Sequence, residues 1–484
     1  MYKILPIIHV MSKLIMLFSC MYVFPSCISI YYKDGTLDDF LVSTFLGLAV
    51  GLFLWASTRK FERELKPRDG FILVTLLWIG FATTATTPFL LYFPGISFAD
   101  AFFESMSGLS TTGATVLVGL DSLPPAINFW RHFLNWLGGM GIIVLAVAVL
   151  PMLGVGGMQL YKAEMPGLIK DSKLTPRITT TAKHLWMIYA LFTIACAISL
   201  KLAGMSWFDS ICHAFATLSL GGFSTHDASI GFFNSISIEI ILEFFMLLAA
   251  TNFTLHFIVF RSKSLKIYLK DSELKTMLAI IFISIALLSF YLHVNQIYDY
   301  WTAFRHVSFN LISIATDCGF SSVDFGAWPS LVPMWILILS SVTCCTGSTG
   351  GGVKMARNLV LLGQFKSEMV KLLHPHAVSP IKLNGKVLPA SIVQAVLAFV
   401  FAYIGSVIIL SFILMVSGMD FVSAYSAILA CINNAGPGLG EVGPASNYSV
   451  LNEFQIWVCS LAMLLGRLEL FTLFILFTPE FWRK

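Results

Sequence analysis

Four glycine-centred segments recur along this 484-residue chain, and what they offer chemically is backbone oxygen. They are Ser110-Thr111-Thr112-Gly113-Ala114-Thr115, Ser219-Leu220-Gly221-Gly222-Phe223-Ser224, Thr316-Asp317-Cys318-Gly319-Phe320-Ser321 and Asn433-Asn434-Ala435-Gly436-Pro437-Gly438. Their key glycines, Gly113, Gly222, Gly319 and Gly436, recur at intervals of roughly a hundred residues. Polar, glycine-bearing backbone in an apolar chain is costly in lipid unless it lines a water-filled cavity. Four copies can surround one axis, and a ring of peptide carbonyls can replace the water around a cation. Small residues also let membrane helices approach closely, which would explain any one segment. It explains four in matching register poorly.

Two further features carry chemistry. From Cys344 to Gly352 the chain reads Cys-Cys-Thr-Gly-Ser-Thr-Gly-Gly-Gly, followed by Val353 and Lys354. Each glycine there costs a helix about 1 kcal/mol relative to alanine, so an apolar span must break at this point. A glycine run before a lysine can cradle phosphate, but no strand precedes it and the GxxxxGK[ST] order is absent. A flexible plug beneath the carbonyl ring, built from Gly347, Ser348, Thr349, Gly350, Gly351, Gly352 and Lys354, fits better. The second feature is Arg467, deep in the last apolar stretch, where a charge must be hydrated or paired. Glu469 is a candidate counter-ion, although residues two apart point to different helix faces. The expectation is that Arg467 faces the cavity, meets the loop and opposes cation passage. Asp100, Glu104, Asp209 and His213 either tune the outer field or hold neighbouring backbone. No carboxylate pair, HExxH, Ser–His arrangement or cofactor motif supports the rival class, a membrane-embedded enzyme.

These residues must be positioned by membrane helices. Hydrophobic residues make up 57% of the chain and charged residues only 12%, where a soluble chain carries about a quarter charged. Most Lys and Arg residues fall in five clusters: 59–68, 162–183, 261–275, 354–386 and the C-terminus. The positive-inside rule assigns all five to the cytoplasmic side, and their place between apolar spans argues against nucleic-acid binding. The nine cysteines lie mostly in apolar stretches without the spacing of a disulfide or metal framework. The N-terminal apolar run to Ile30 lacks a clear cleavage site and is read as a retained helix.

Two leading helices, near 4–30 and 38–57, are therefore expected before four units. Each unit comprises an outward helix, a short descending helix, a glycine segment and a returning helix. The outward helices are expected near 71–92, 184–203, 274–294 and 387–416, and the returning ones near 128–151, 233–260, 330–370 and 452–477. The short helices should start near Phe98, Trp207, Trp301 and Met419. About 12 residues cannot cross a bilayer of about 30 Å, so they are re-entrant. Their C-terminal ends, each carrying about half a negative charge, would favour a cation. The fold expected is all-α and polytopic, with four pseudo-fourfold membrane–loop–membrane repeats. Its boundaries are 1–70 for the leading helices, then 71–156, 157–262, 263–372 and 373–484 for the repeats.

Phe103-Glu104-Ser105-Met106-Ser107-Gly108 running into Thr-Thr-Gly-Ala-Thr, the segment 220–227 and the loop 346–354 resemble the Trk/Ktr/HKT superfamily of potassium transporters. Met165-Pro166-Gly167 and Leu174-Thr175-Pro176-Arg177-Ile178 are similar too, and the two leading helices resemble the bacterial TrkH branch. The resemblance implies potassium uptake across the bacterial inner membrane by a multi-pass protein, with K+ (or its analogue Rb+) as cargo and no covalent cofactor. It implies a homodimer with one pore per protomer and a cytosolic, nucleotide-binding TrkA-like regulatory subunit. It assigns the ion-coordinating filter to Thr111, Thr112 and Gly113, to Leu220, Gly221 and Gly222, to Asp317, Cys318 and Gly319, and to Asn434, Ala435 and Gly436. The filter should be shorter than TVGYG, since one glycine alone is common to the four segments. Glycine at 113, where sodium-permeable relatives carry serine, favours potassium. Symport with H+ or Na+ is the alternative mechanism.

Overall fold

The computed structural model describes residues 4–63, 65–144 and 175–483. Much of the second basic loop, Met165-Pro166-Gly167 and the expected end of the first returning helix at 151 lie outside them. Among the described residues six helices are long and apolar enough to cross a bilayer: Leu5–Tyr32, Leu37–Phe61, Arg68–Tyr92, Lys183–Leu202, Ser272–Val294 and Ala390–Val416. They match the two leading and four outward helices read from the sequence. Phe45, Phe53, Phe290, Phe401 and Phe412 are exposed on them, as suits a surface solvated by lipid. Among the described residues the one piece of sheet is a hairpin pairing Lys382–Leu383 with Lys386–Val387. The chain is thus a mostly helical, multi-pass membrane protein.

The short helices are Phe98–Ser110, Trp207–Ser219, Tyr300–Ala315 and Phe421–Asn433. Each starts at a polar cap: Ser97 accepts from the Asp100 N–H, Ser206 from Asp209, Asp299 from Thr302 and Asp420 from Ser423. Each packs against the returning helix of the preceding unit. Phe98–Ser110 lies on Glu453–Arg467, and Trp207–Ser219 on Pro125–Val144. Tyr300–Ala315 lies on Ile236–Ala249, and Phe421–Asn433 on Leu331–Ser340. The last unit contacting the first closes a circle.

The returning helices correct one expectation. The third is broken as its glycines require, into Leu331–Ser340 and Met355–Leu373. The second and fourth, expected to be continuous, also break. Ile236–Ala249 meets Phe253–Ser262 at 93°, and Glu453–Arg467 meets Phe471–Phe477 at 105°. The second bend works because its freed groups find partners. The Asn252 side chain accepts from the Thr254 N–H (2.8 Å), and the carbonyls of Ala250 and Ala249 accept from the Cys345 and Thr349 N–H groups (3.1 and 3.4 Å). At the fourth, Glu469 and Leu470 take φ of 54° and 45°.

Candidate cation-conducting site

All four short helices end in the same hydrogen-bonded turn. The N–H groups of Thr112, Gly221, Cys318 and Ala435 return to the carbonyls of Ser107, Ala216, Ser313 and Ala430 at 2.9, 2.8, 2.8 and 2.8 Å. The preceding residues, Thr111, Leu220, Asp317 and Asn434, are left-handed, with φ of 55°, 55°, 63° and 58°. This is a Schellman-type ending with side chains where glycine is usual. Left-handed geometry disfavours such residues by about 1–2 kcal/mol each, so four instances at equivalent positions mark a constrained site.

The key glycines follow, with φ of 79°, 63°, 94° and 86° at Gly113, Gly222, Gly319 and Gly436. A Cβ on Gly113 would press on the Gly221 carbonyl oxygen, one on Gly222 on that of Cys318, one on Gly319 on that of Ala435, and one on Gly436 on that of Thr112. Each separation is below 3.0 Å, which real Cβ atoms avoid. The contacts run in chain order and return to the first segment, so the four segments that hold the twelve sequence-predicted coordinating residues are brought together in one ring. All four glycines line a cavity of about 90 Å³, along with Arg131, Ser224, His226, Asp227 and Tyr448. Among the described residues no group of three His, Cys, Asp or Glu side chains could hold a metal ion.

The ring is braced from behind by a different side chain in each quarter. Buried Glu104 accepts from the Val116 N–H (3.1 Å), the Thr115 hydroxyl (3.0 Å) and Arg131 Nε (2.7 Å). His213 Nε2 meets the Ser224 hydroxyl at 3.0 Å. Asn310 Oδ1 accepts from the Ser322 N–H at 3.1 Å. The fourth quarter has Ala427 in that register, and Ser426 beside it accepts from the Leu439 N–H at 2.8 Å. Every brace ends two or three residues past a key glycine. Arg131 also donates to the Ser224 carbonyl (3.2 Å), tying the first two quarters together. Arg131 and Ser426 were not singled out from sequence. The signal available for Arg131 was its charge within an apolar helix, which demands a buried partner.

Outside the spans, Asp121 of the first quarter meets the second through His226 Nδ1 and the Asp227 N–H. Burial pulls the Asp121 carboxyl up, but these hydrogen bonds outweigh it and hold the group below its ordinary range. The Ser423 side chain and N–H likewise hold Asp420 low.

The glycine-rich loop lies against the helix ends. Thr343 Oγ1 donates to the Ala315 carbonyl, and Thr349 Oγ1 to that of Leu218 at 3.2 Å. A Cβ on Gly351 would strike the Asn433 carbonyl, and one on Gly350 would lie 3.1 Å from that of Thr316. The Gly351 N–H donates to Asp317 Oδ2 at 2.9 Å, and the Phe253 N–H to the Gly347 carbonyl at 3.1 Å. The Ser348 hydroxyl bonds the Cys345 carbonyl at 2.7 Å, and Gly352, at φ 70°, abuts the carbonyls of Ser340 and Ser341. Lys354 Nζ donates to the Gly350 carbonyl. Arg467 is buried and donates to the Thr349 carbonyl of the loop and the Gly138 carbonyl of the first returning helix, both at 3.0 Å. Gly138 itself sits on the Leu109 carbonyl, so loop and arginine together reach all four short helices. Glu469 does not pair with Arg467; it accepts from Arg357 Nη2 at 2.6 Å.

A multi-pass helical chain in which four short helices end on one ring of glycines has the architecture of a membrane transport protein. A sequence model of the TrkH family, described as cation transport protein, matches residues 38–484, and the chain belongs to that family. It is 48% identical over 485 residues to the Trk system potassium uptake protein TrkH of Vibrio parahaemolyticus, and 45% identical over 480 residues to that of Escherichia coli, covering 99% of both chains in each case. Its fold is similar to the crystal structure of the potassium transporter TrkH from Vibrio parahaemolyticus. That match has a TM-score of 0.91 and 44% identity, covering 99% of this chain and 100% of the other.

Proposed function

We propose that this chain takes up potassium across the bacterial inner membrane through a filter of backbone carbonyls. The filter residues are Thr111, Thr112, Gly113, Leu220, Gly221, Gly222, Asp317, Cys318, Gly319, Asn434, Ala435 and Gly436. The gate is the loop from Gly347 to Gly352 with Lys354, held shut by Arg467. The four repeats run 71–156, 157–262, 263–372 and 373–484 after two leading helices. The protein works as a homodimer under a cytosolic, nucleotide-binding TrkA-like subunit, an assembly that rests on the family resemblance alone. One observation carries the pore reading: each key glycine abuts a carbonyl of the next segment, and the sequence of contacts closes on itself.

The test is Gly113→Ser in protein reconstituted into liposomes, with Rb+ and Na+ uptake compared. At φ 79°, a side chain at 113 is strained and presses on the Gly221 carbonyl. Discrimination of Rb+ over Na+ should fall by about tenfold or more, the effect of a cost near 1.4 kcal/mol on one ion alone. Full discrimination in this variant would defeat the reading. Conduction is passive in this proposal; a shift of reversal potential with an imposed pH gradient would favour symport instead.

A further inference from the structure

We infer that the side chains of Asp317 and Asn434 form a second, inner cation site that the loop covers when shut. The inference rests on the pore reading above, and it concerns side-chain oxygens rather than the carbonyl ring. Asp317, Asn434, Thr111 and Leu220 occupy the equivalent left-handed position in the four quarters, and Asp317 alone has an ionisable side chain. Its carboxylate is fully buried yet poorly satisfied. Oδ2 accepts from the Gly351 N–H (2.9 Å) and the Cys344 thiol (3.3 Å), and Oδ1 has no hydrogen-bond partner. A buried carboxylate with a free oxygen calls for a cation.

Asn434 supplies the second oxygen. Its Nδ2 faces Thr112 Oγ1 (3.0 Å) and the carbonyls of Met463 (3.1 Å) and Cys431 (3.3 Å), which fixes the amide orientation. Oδ1 must then face the other way, where it too lacks a partner and lies between the Cβ positions of Gly466 (3.1 Å) and Gly351 (3.3 Å). Both free oxygens therefore belong to side chains that abut Gly351. The neighbouring cations Lys354 and Arg467 donate to the carbonyls of Gly350, Thr349 and Gly138, not to the carboxylate. When the loop withdraws, the carboxylate loses the Gly351 N–H and gains room for a monovalent ion just inside the ring. The ion needs the space that Gly351 fills and the Oδ2 that its N–H holds, so ion binding there favours the open gate by linkage.

The experiment compares the Rb+ dependence of uptake into liposomes for the wild type, Asp317→Asn, Asp317→Thr and Asp317→Glu. Asparagine and threonine already occupy this backbone position in other quarters, so both should fold; heat survival in detergent checks each. The inference expects half-saturating Rb+ to rise about tenfold or more in both uncharged variants. The glutamate variant restores the ionisable oxygen, so its half-saturating Rb+ should lie below that of both uncharged variants. Wild-type half-saturation in either uncharged variant that folds overturns the inner site and leaves the pore reading intact. Failure of the wild type itself to carry Rb+ overturns both.

Discussion

The brace behind the first quarter gives the sharpest energetic test. Glu104 and Arg131 are both fully buried, 2.7 Å apart, and between them hold Thr115, Val116 and the Ser224 carbonyl. Glu104→Gln preserves size and much of the hydrogen bonding but leaves the guanidinium without a counter-ion. Breaking one side of a buried pair costs about 3–5 kcal/mol, far above the 0–1 kcal/mol of a surface bridge. Arg131→Met should cost a similar amount, since it strands the carboxylate. The double variant removes both charges, so its loss should fall short of the sum by about 2 kcal/mol or more, the mark of a direct pair. Heat survival in detergent, read by size-exclusion chromatography, gives the stabilities, and Rb+ against Na+ uptake gives the function. Because the braced backbone follows Gly113 and Gly222, selectivity should decline along with stability. Wild-type heat resistance and wild-type discrimination in Glu104→Gln would refute the reasoning.

Two other perturbations probe the gate and the mouth. Arg467→Ala removes hydrogen bonds to Thr349 and Gly138. Rb+ uptake without any regulatory subunit should rise several-fold, and unchanged or lower uptake at normal expression would count against a closing role. Asp121 sits below its ordinary range, so its contribution is complete above an unfolded value of about 3.9 and fades as pH falls through the lower folded value. Heat survival of the wild type should therefore drop as pH falls below about 4; Asp121→Asn should already be weaker at neutral pH and show a smaller drop, the remainder coming from groups such as Asp420.

The spans were legible because apolar runs between basic clusters leave few alternatives, and the short helices because four glycine segments recur in matching register. The bends at Ala250 and Leu468 were not. Neither place holds a proline or a glycine run, and what permits the second helix to turn is a distant loop that satisfies its carbonyls. The brace residues were half visible: Glu104 and His213 could be placed on the short helices, but their partners depend on how far the chain travels after each glycine. In the fourth quarter the role passes from Ala427 to Ser426, which no count of spacing reveals.

On the pore reading proposed above, four unequal quarters in one chain also allow the gate to be a single loop. In a ring of identical subunits, any loop placed under the axis arrives in four copies that exclude one another. Here the third unit alone provides the loop, and the other units are shaped to receive it. The second offers the Leu218, Ala249 and Ala250 carbonyls, the fourth offers Arg467 and the space against Asn433, and the first is reached through Gly138. The bend of the second returning helix belongs to the same arrangement, since it frees the carbonyls that hold the loop. Restoring a straight helix there should therefore unseat the loop before it disturbs the ring, because none of the four braces draws on that helix.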